Sequence, residues 1–361
     1  MENKPNPKPN PNEQLYQQVN KLAVQSKIIG LVFLCVVGFI LLQIVGWAPS
    51  FQHADKANLS PKEDASFLQH VADFKMSEYP DTEEGEAAAY GEKLIKQTAL
   101  YLGPENKFGE VYAGNNLACA SCHLDGGTKA YAAPYVGLTG IFPMFSGREG
   151  KVTTLEERIN GCFERSMSGR KLPIGSTEMI AIVSYMKHLS KDVKVGARIE
   201  GQGFVKLAVP DRRADLKHGE LVYAEKCVSC HQTDGLGQRK DAQELAAGYI
   251  YPPLWGTDSF NDGAGMARML TAAKFIKGNM PLGASSEEPL LTDEEAYDVA
   301  AYINSHVRPV KANKEVDYPN LKKKPKDSAY PPFADDLSAE QHKYGPFNFE
   351  VGSNQRTLSK L

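Results

Sequence analysis

The chain has 361 residues, enough for two or three small domains, and its 41 Lys+Arg stand against 44 Asp+Glu. That near-balance leaves no excess positive charge of the kind a nucleic acid selects, so no nucleic-acid partner is expected. From the N-terminus, Met1–Asn12 is a Pro/Asn repeat with too little apolar content to fold, and residues 1–27 are expected to be a disordered cytoplasmic segment. Ile28–Trp47 is then an apolar run broken only by Gln43, about one bilayer's worth of helix. It exceeds a signal-peptide core and no A-x-A site follows it. An uncleaved transmembrane anchor over 28–47 is therefore expected, rather than a removed signal or a buried core helix. Lys4, Lys8, Lys21 and Lys27 all precede the run. They keep the N-terminus in the cytoplasm and place the rest on the periplasmic side of a bacterial cytoplasmic membrane, in a single pass. Cys35, inside the run, reads as a small apolar filler.

Two pentapeptides follow, Cys119-Ala-Ser-Cys122-His123 and Cys227-Val-Ser-Cys230-His231. Each presents two thiols for thioether bonds to haem vinyls and a histidine as proximal iron ligand. One such match could be a redox or zinc pair; two in one chain point to two covalently bound haem c groups. They lie 108 residues apart, and the same offset, without a gap, superposes Lys171–Gly175 on Asn279–Gly283. The pattern is that of a duplicated class I cytochrome c module. The expected fold is mainly α, with module 1 over 60–205, module 2 over 206–310 and an extended, proline-punctuated tail over 311–361 packed on both. Helices are predicted over Thr154–Met167, Ser176–Leu189, Asp215–Lys226 and Thr292–His306. Thr153 with Glu156, and Thr292 with Glu295, have capping-box spacing. Tyr185 and Tyr302 are placed to pack against the helix that begins each module.

Met280, in Asn-Met-Pro-Leu-Gly, stands where a cytochrome c supplies its distal thioether, giving a His231/Met280 pair whose thioether raises the reduction potential. The equivalent residue of module 1 is Leu172, which cannot ligate iron. Cys162, Met167, Met144, Met179 and His188 are the candidates to replace it. Arg158, Cys162 and Ser166 fall at i, i+4 and i+8 on one helical face, with Arg165 nearby. A cation beside a thiol favours the thiolate, the ligating and nucleophilic form. Met167 is the alternative.

Phe145-Ser146-Gly147-Arg148, the run Glu157–Met167, Leu172-Pro173 and the tail stretches Tyr330–Asp335 and Gln341–Phe347 together resemble the dihaem thiosulfate dehydrogenases that form tetrathionate. The resemblance spans about Thr82 to Phe347. It implies a first haem ligated by His123 and Cys162 as the active site, with Arg148, Arg158 and Ser166 around the substrate. It also implies a second, electron-transferring haem whose methionine is Met280. The implied partners are thiosulfate, tetrathionate and an external acceptor such as a cytochrome c or a membrane redox chain. Two features depart from the family: Asn279 stands where some members carry a lysine, with Lys277 close by, and the membrane anchor is not general. Arg165 and Arg170 are weaker anion-binding candidates. Two other readings compete. A non-catalytic dihaem electron carrier resembling an oxidase subunit should have a methionine ligand in both modules. A sulfur-carrier cytochrome would conjugate thiosulfate to a partner's cysteine. A dihaem peroxidase should carry a glutamate-bearing loop that the sequence does not show. His53, His70, His188, His218, His306 and His342 read as surface or packing residues.

Overall fold

The computed structural model describes residues 11–46 and 67–349. Helix α1 (Pro11–Gly46) is a unit of its own, and between Val19 and Ile40 its mean hydropathy of 2.2 makes it long and apolar enough to cross a bilayer. Its start corrects the expectation of disorder for the part of residues 1–27 that is described, residues 11–27. Residues 11–27 are helical, with Pro11 in the first position, where its missing N–H costs nothing. The repeat over 1–10, Trp47, the expected module start at 60–66 and the tail end at 350–361 lie outside the described residues.

In the second unit, helix α2 (Glu83–Lys96) is capped by Thr82, whose hydroxyl accepts from the Gly85 N–H at 3.2 Å. Glu83, Glu84 and Glu86 sit in its first turn and Lys93 and Lys96 in its last, matching the helix dipole. Strands β1 (Met144–Ser146) and β2 (Lys151–Thr153) form an antiparallel hairpin with Arg148 in its turn. Helix α3 (Leu155–Arg165) follows at once. Its capping box is Thr154 with Glu157, one residue later than expected. Thr153 is already the last residue of β2, and its hydroxyl is turned to the Met144 carbonyl. Helix α4 (Thr177–Ser190) is capped by Ser176 and α5 (Leu216–Lys226) by Asp215. The short strands β3 (Gln238–Arg239) and β4 (Tyr249–Tyr251) pair before α6 (Met269–Asn279), and α7 (Asp293–Ser305) carries the expected Thr292/Glu295 box.

The duplication shows in how helices cross. Packing of α2 on α4 brings Gly91 so close that a Cβ there would lie 2.0 Å from the Ala181 carbonyl oxygen and 2.8 Å from the Tyr185 Cβ. Packing of α5 on α7 does the same to Gly219, with 2.2 Å to the Asp298 carbonyl oxygen and 2.9 Å to the Tyr302 Cβ. Both tyrosines therefore pack as expected, each against a glycine that permits close backbone approach. One apolar cluster lies around Leu94, Phe163, Met179 and Tyr185, and a second around Tyr223, Met269, Tyr297 and Ala300.

Buried asparagines hold the two halves together. Asn115 Nδ2 donates to the Ser166 and Ser259 carbonyls at 3.0 and 3.2 Å, and Asn261 Nδ2 to the Glu164 carbonyl at 2.9 Å. The tail is mostly extended, broken by single 3-10 turns at Lys314–Val316 and Leu321–Lys323 and by helix α8 (Ala339–Tyr344). Tyr344 and Phe347 enter the second apolar cluster.

Candidate functional site

Each CxxCH pentapeptide forms one wall of a largely apolar cavity. The first cavity, about 270 Å³, takes Cys119, Cys122 and His123 on that wall. The second, about 540 Å³, takes Cys227, Cys230 and His231. The His123 Nδ1 lies 2.6 Å from the Ala133 carbonyl and the His231 Nδ1 lies 2.9 Å from the Pro252 carbonyl. A carbonyl only accepts, so each Nδ1 carries the proton and each Nε2 is left to bind metal. Burial pushes the His123 pKa down to about 4 and lowers that of His231, which keeps both rings in the neutral, ligating form. Two thiols, one oriented imidazole and an apolar cavity fit a covalently held haem in each half. The cavities share wall residues Leu117, Ala118, Cys122, Phe260 and Met266, so the two groups would be neighbours.

The halves differ opposite the histidine. In the second, Met280 lines the cavity at the end of α6. Asn279 is turned elsewhere, its Nδ2 donating to the Tyr131 and Phe275 carbonyls at 3.2 and 3.0 Å, and Lys277 pairs with Asp293. In the first half, Leu172 packs in the core, away from the cavity lining. Asn160 on α3 grips its backbone at both ends, accepting from the Leu172 N–H at 2.8 Å and donating to its carbonyl at 2.9 Å. Of the five replacements considered, Cys162 and Met167 line the first cavity. Met144 sits in β1, Met179 in the core, and His188 is held by Ser77 against the Tyr79 ring.

A chamber of about 360 Å³ adjoins the first cavity, and Cys162, Arg158, Ser166 and His123 belong to the walls of both. Arg148, Arg158, Arg165 and Arg268 all line this chamber. Arg158 Nη1 donates to the Cys162 Sγ at 3.1 Å, one helical turn apart as the i, i+4 spacing required. Arg148 Nη1 donates to the Gly263 carbonyl at 2.9 Å. Arg165, only 7 % exposed, is ion-paired with Asp317 at 2.7 Å. Burial raises the Asp317 pKa, but the Tyr330 hydroxyl and the Arg165 and Arg148 guanidiniums outweigh it and hold the carboxyl below its usual range. Glu149 and Glu157 also line the chamber, Glu157 paired with Lys151 and Glu149 3.9 Å from Arg165, so four guanidiniums face two carboxylates beside the thiol, an arrangement suited to small oxyanions. Arg170 does not take part: it pairs with Glu110 and stacks on Tyr112 at the surface. Arg268 belongs to the second half, one residue before α6, and no local pattern in the sequence ties it to Cys162.

Comparison with known proteins agrees with this duplication. Residues 105–195 match the family "SoxA/TsdA, cytochrome c domain" and residues 216–306 match "Cytochrome c". The thiosulfate dehydrogenase of Psychrobacter arcticus is 45 % identical over 244 residues, covering 68 % of this chain and 70 % of that protein. That of Allochromatium vinosum is 44 % identical over 235 residues, covering 64 % and 82 %. Among solved structures, the thiosulfate dehydrogenase (TsdBA) of Marichromatium purpuratum in its as-isolated form superposes with a TM-score of 0.61 at 34 % identity, covering 72 % of this chain and 53 % of that one.

Proposed function

The chain belongs to the thiosulfate dehydrogenase family of dihaem cytochromes c, and on that premise we propose that it joins two thiosulfates into tetrathionate in the arginine-lined chamber. The observation that carries the reading is the place of Cys162, in the wall between the first haem cavity and the chamber, with Arg158 on its sulfur. In this reading His123 and Cys162 would hold the iron of the first haem, and His231 and Met280 that of the second.

Oxidative joining brings two dianions together. At about 4 Å and an effective dielectric of about 20, four unit-charge products amount to roughly 16 kcal/mol of repulsion before screening. Arginine answers that repulsion, because guanidinium stays charged and offers a fixed fork of donors. Arg148 and Arg158 hold the sulfonate oxygens, and Ser166, one turn after Cys162, donates a further hydrogen bond. The Cys162 thiolate, held by Arg158, bonds to the sulfane sulfur of one thiosulfate with loss of two electrons, giving a cysteine S-thiosulfonate. The second thiosulfate attacks that same sulfur; the cysteine–sulfur bond breaks, tetrathionate leaves and the thiolate returns. When bound, the two haems supply one-electron acceptance and a route to an external acceptor such as a cytochrome c or a membrane redox chain. Helix α1 anchors the enzyme to the cytoplasmic membrane with these modules on the periplasmic side.

The test is stopped-flow absorbance of the holoprotein with thiosulfate and ferricyanide, followed by quantification of tetrathionate. Turnover yielding tetrathionate is expected. Two spectrally normal haems without turnover would favour an electron carrier. Thiosulfate appearing covalently on a partner protein's cysteine would favour a sulfur carrier.

A further inference from the structure

Three of the four chamber arginines are braced from behind by one stretch of the tail. Asp317 takes Arg165 Nη2 at 2.7 Å, and its other oxygen accepts from the Tyr330 hydroxyl at 2.6 Å. Tyr318 donates its backbone N–H to the Arg148 carbonyl at 2.7 Å and accepts from Arg148 Nε on its hydroxyl at 3.3 Å. Asp327, 1 % exposed, accepts from both Nε and Nη2 of Arg268 at 2.9 and 2.6 Å. Its second oxygen accepts from the Leu270 N–H at 3.1 Å, which ties the pair to the start of α6. The hairpin turn that carries Arg148 is pressed by the same stretch: a Cβ on Gly150 would lie 2.5 Å from the Pro319 ring, and one on Gly147 3.2 Å from the Lys323 Cβ. None of Asp317, Tyr318 and Asp327 lines the chamber itself. Their side chains reach the guanidiniums from outside that lining. Both Asp327-bound nitrogens of Arg268 lie on one edge of its fork, which leaves Nη1 without a hydrogen bond among the described residues.

We propose that residues 317–327 are the positioning element of the anion chamber, and that Arg268, held by Asp327, is an anion-binding residue which the second module contributes to the first module's site. The proposal rests on the chamber being where thiosulfate binds. It has a physical rationale in the reaction: two dianions need charge on more than one wall, and Arg268 faces the site from the module opposite α3. A guanidinium held at two nitrogens by a buried carboxylate has its orientation set before substrate arrives, so less ordering is left to binding.

The experiment uses full-length holoprotein and reads thiosulfate affinity by calorimetry alongside KM, kcat, the spectra of both haems and the Tm. Arg268→Ala is expected to weaken thiosulfate binding about tenfold or more, the size of a lost charge-assisted contact, with both haem spectra unchanged. Asp327→Asn should weaken binding several-fold, with the KM effect exceeding the kcat effect. In the Arg268→Ala/Asp327→Asn double variant the second change should add nothing further to binding, because Asp327 acts through Arg268. Tyr318→Phe, which removes one hydroxyl and keeps the packing, serves if the Asp327 variant does not fold, and should weaken binding about threefold. Unchanged affinity in Arg268→Ala overturns the binding role. A lowered Tm with unchanged affinity in Asp327→Asn or Tyr318→Phe overturns the positioning role. Wild-type protein that binds thiosulfate in the chamber without forming tetrathionate sinks the proposed reaction, while the affinity series still decides on Arg268 and the tail.

Discussion

The two modules begin from one plan and part at a single site. Both set a CxxCH pentapeptide under a crossing of two helices, with a glycine at the contact and a backbone carbonyl on the histidine Nδ1. In the second, the loop at the end of α6 brings Met280 to the cavity; in the first, the corresponding Leu172 is fastened into the core by Asn160. In the proposed reading the vacated role falls to a helix, α3, whose capping box follows directly from a hairpin. A helix presents a face rather than a point, so Cys162 arrives with Arg158 and Ser166 beside it. A module built only to carry electrons needs one soft ligand in an apolar pocket. A module built to handle anions needs that ligand at the edge of a charged one.

The largest expected effect tests the proposed role of Cys162. Cys162→Ala or Cys162→Ser should keep both haems attached yet lose about a thousandfold or more in turnover, since a nucleophile acts as a unit with its surroundings. Near-full rate in either variant would mean that Cys162 has no chemical role. On the other module, Met280→His should lower the potential of the second haem by roughly tenths of a volt and leave the first unchanged. Spectroelectrochemistry resolving the two haems reads this, and a shift in both would show that the assignment of Met280 is mistaken.

The shared plan can be tested in stability. Alanine for glycine in a helix ordinarily gains about 1 kcal/mol. At Gly91 and Gly219 the new methyl would sit within 2.0 and 2.2 Å of a carbonyl oxygen, so overpacking of roughly 1–3 kcal/mol or more should win. Both variants should show a lower Tm by calorimetry, and a rise in either would argue against the close crossing in that module.

The smallest effect concerns the tail. Lys324 is 3 % exposed, its ammonium donating to the Pro332 carbonyl at 2.8 Å and lying 4.3 Å from the Tyr330 ring centre. Burial brings its pKa down to about 8, against the pull of Asp317 and with the push of Arg148 and Lys314. Between pH 8 and about 10.4 the unfolded chain therefore holds the proton that the folded chain has released, and this residue makes stability rise with pH across that window. Lys324→Met should flatten that part of the profile in denaturant titrations. An unchanged slope would mean that Lys324 does not titrate there.

Short-range patterns are the part of this protein legible along the chain. The haem attachment sites are five residues long, the helices announce themselves by period and cap, and α1 by an apolar run interrupted only at Gln43. Cys162 was legible because Arg158 and Ser166 lie one turn away on either side. The capping box of α3 was misplaced by one residue because Thr153 and Thr154 both have a glutamate three residues on, and only the pairing of β2 with β1 decides which threonine is free to cap. Residues 11–27 differ from the expectation for a related reason: the proline repeat beside them biases the whole segment toward disorder, whereas helix begins at the last favourable proline. Which groups brace the chamber arginines, and that Arg268 joins them, depends on the tertiary fold. Arg165 meets Asp317 across 152 residues and Arg268 meets Asp327 across 59. An arginine's partner is any carboxylate that folding brings within reach, and no spacing along the chain encodes which one that will be.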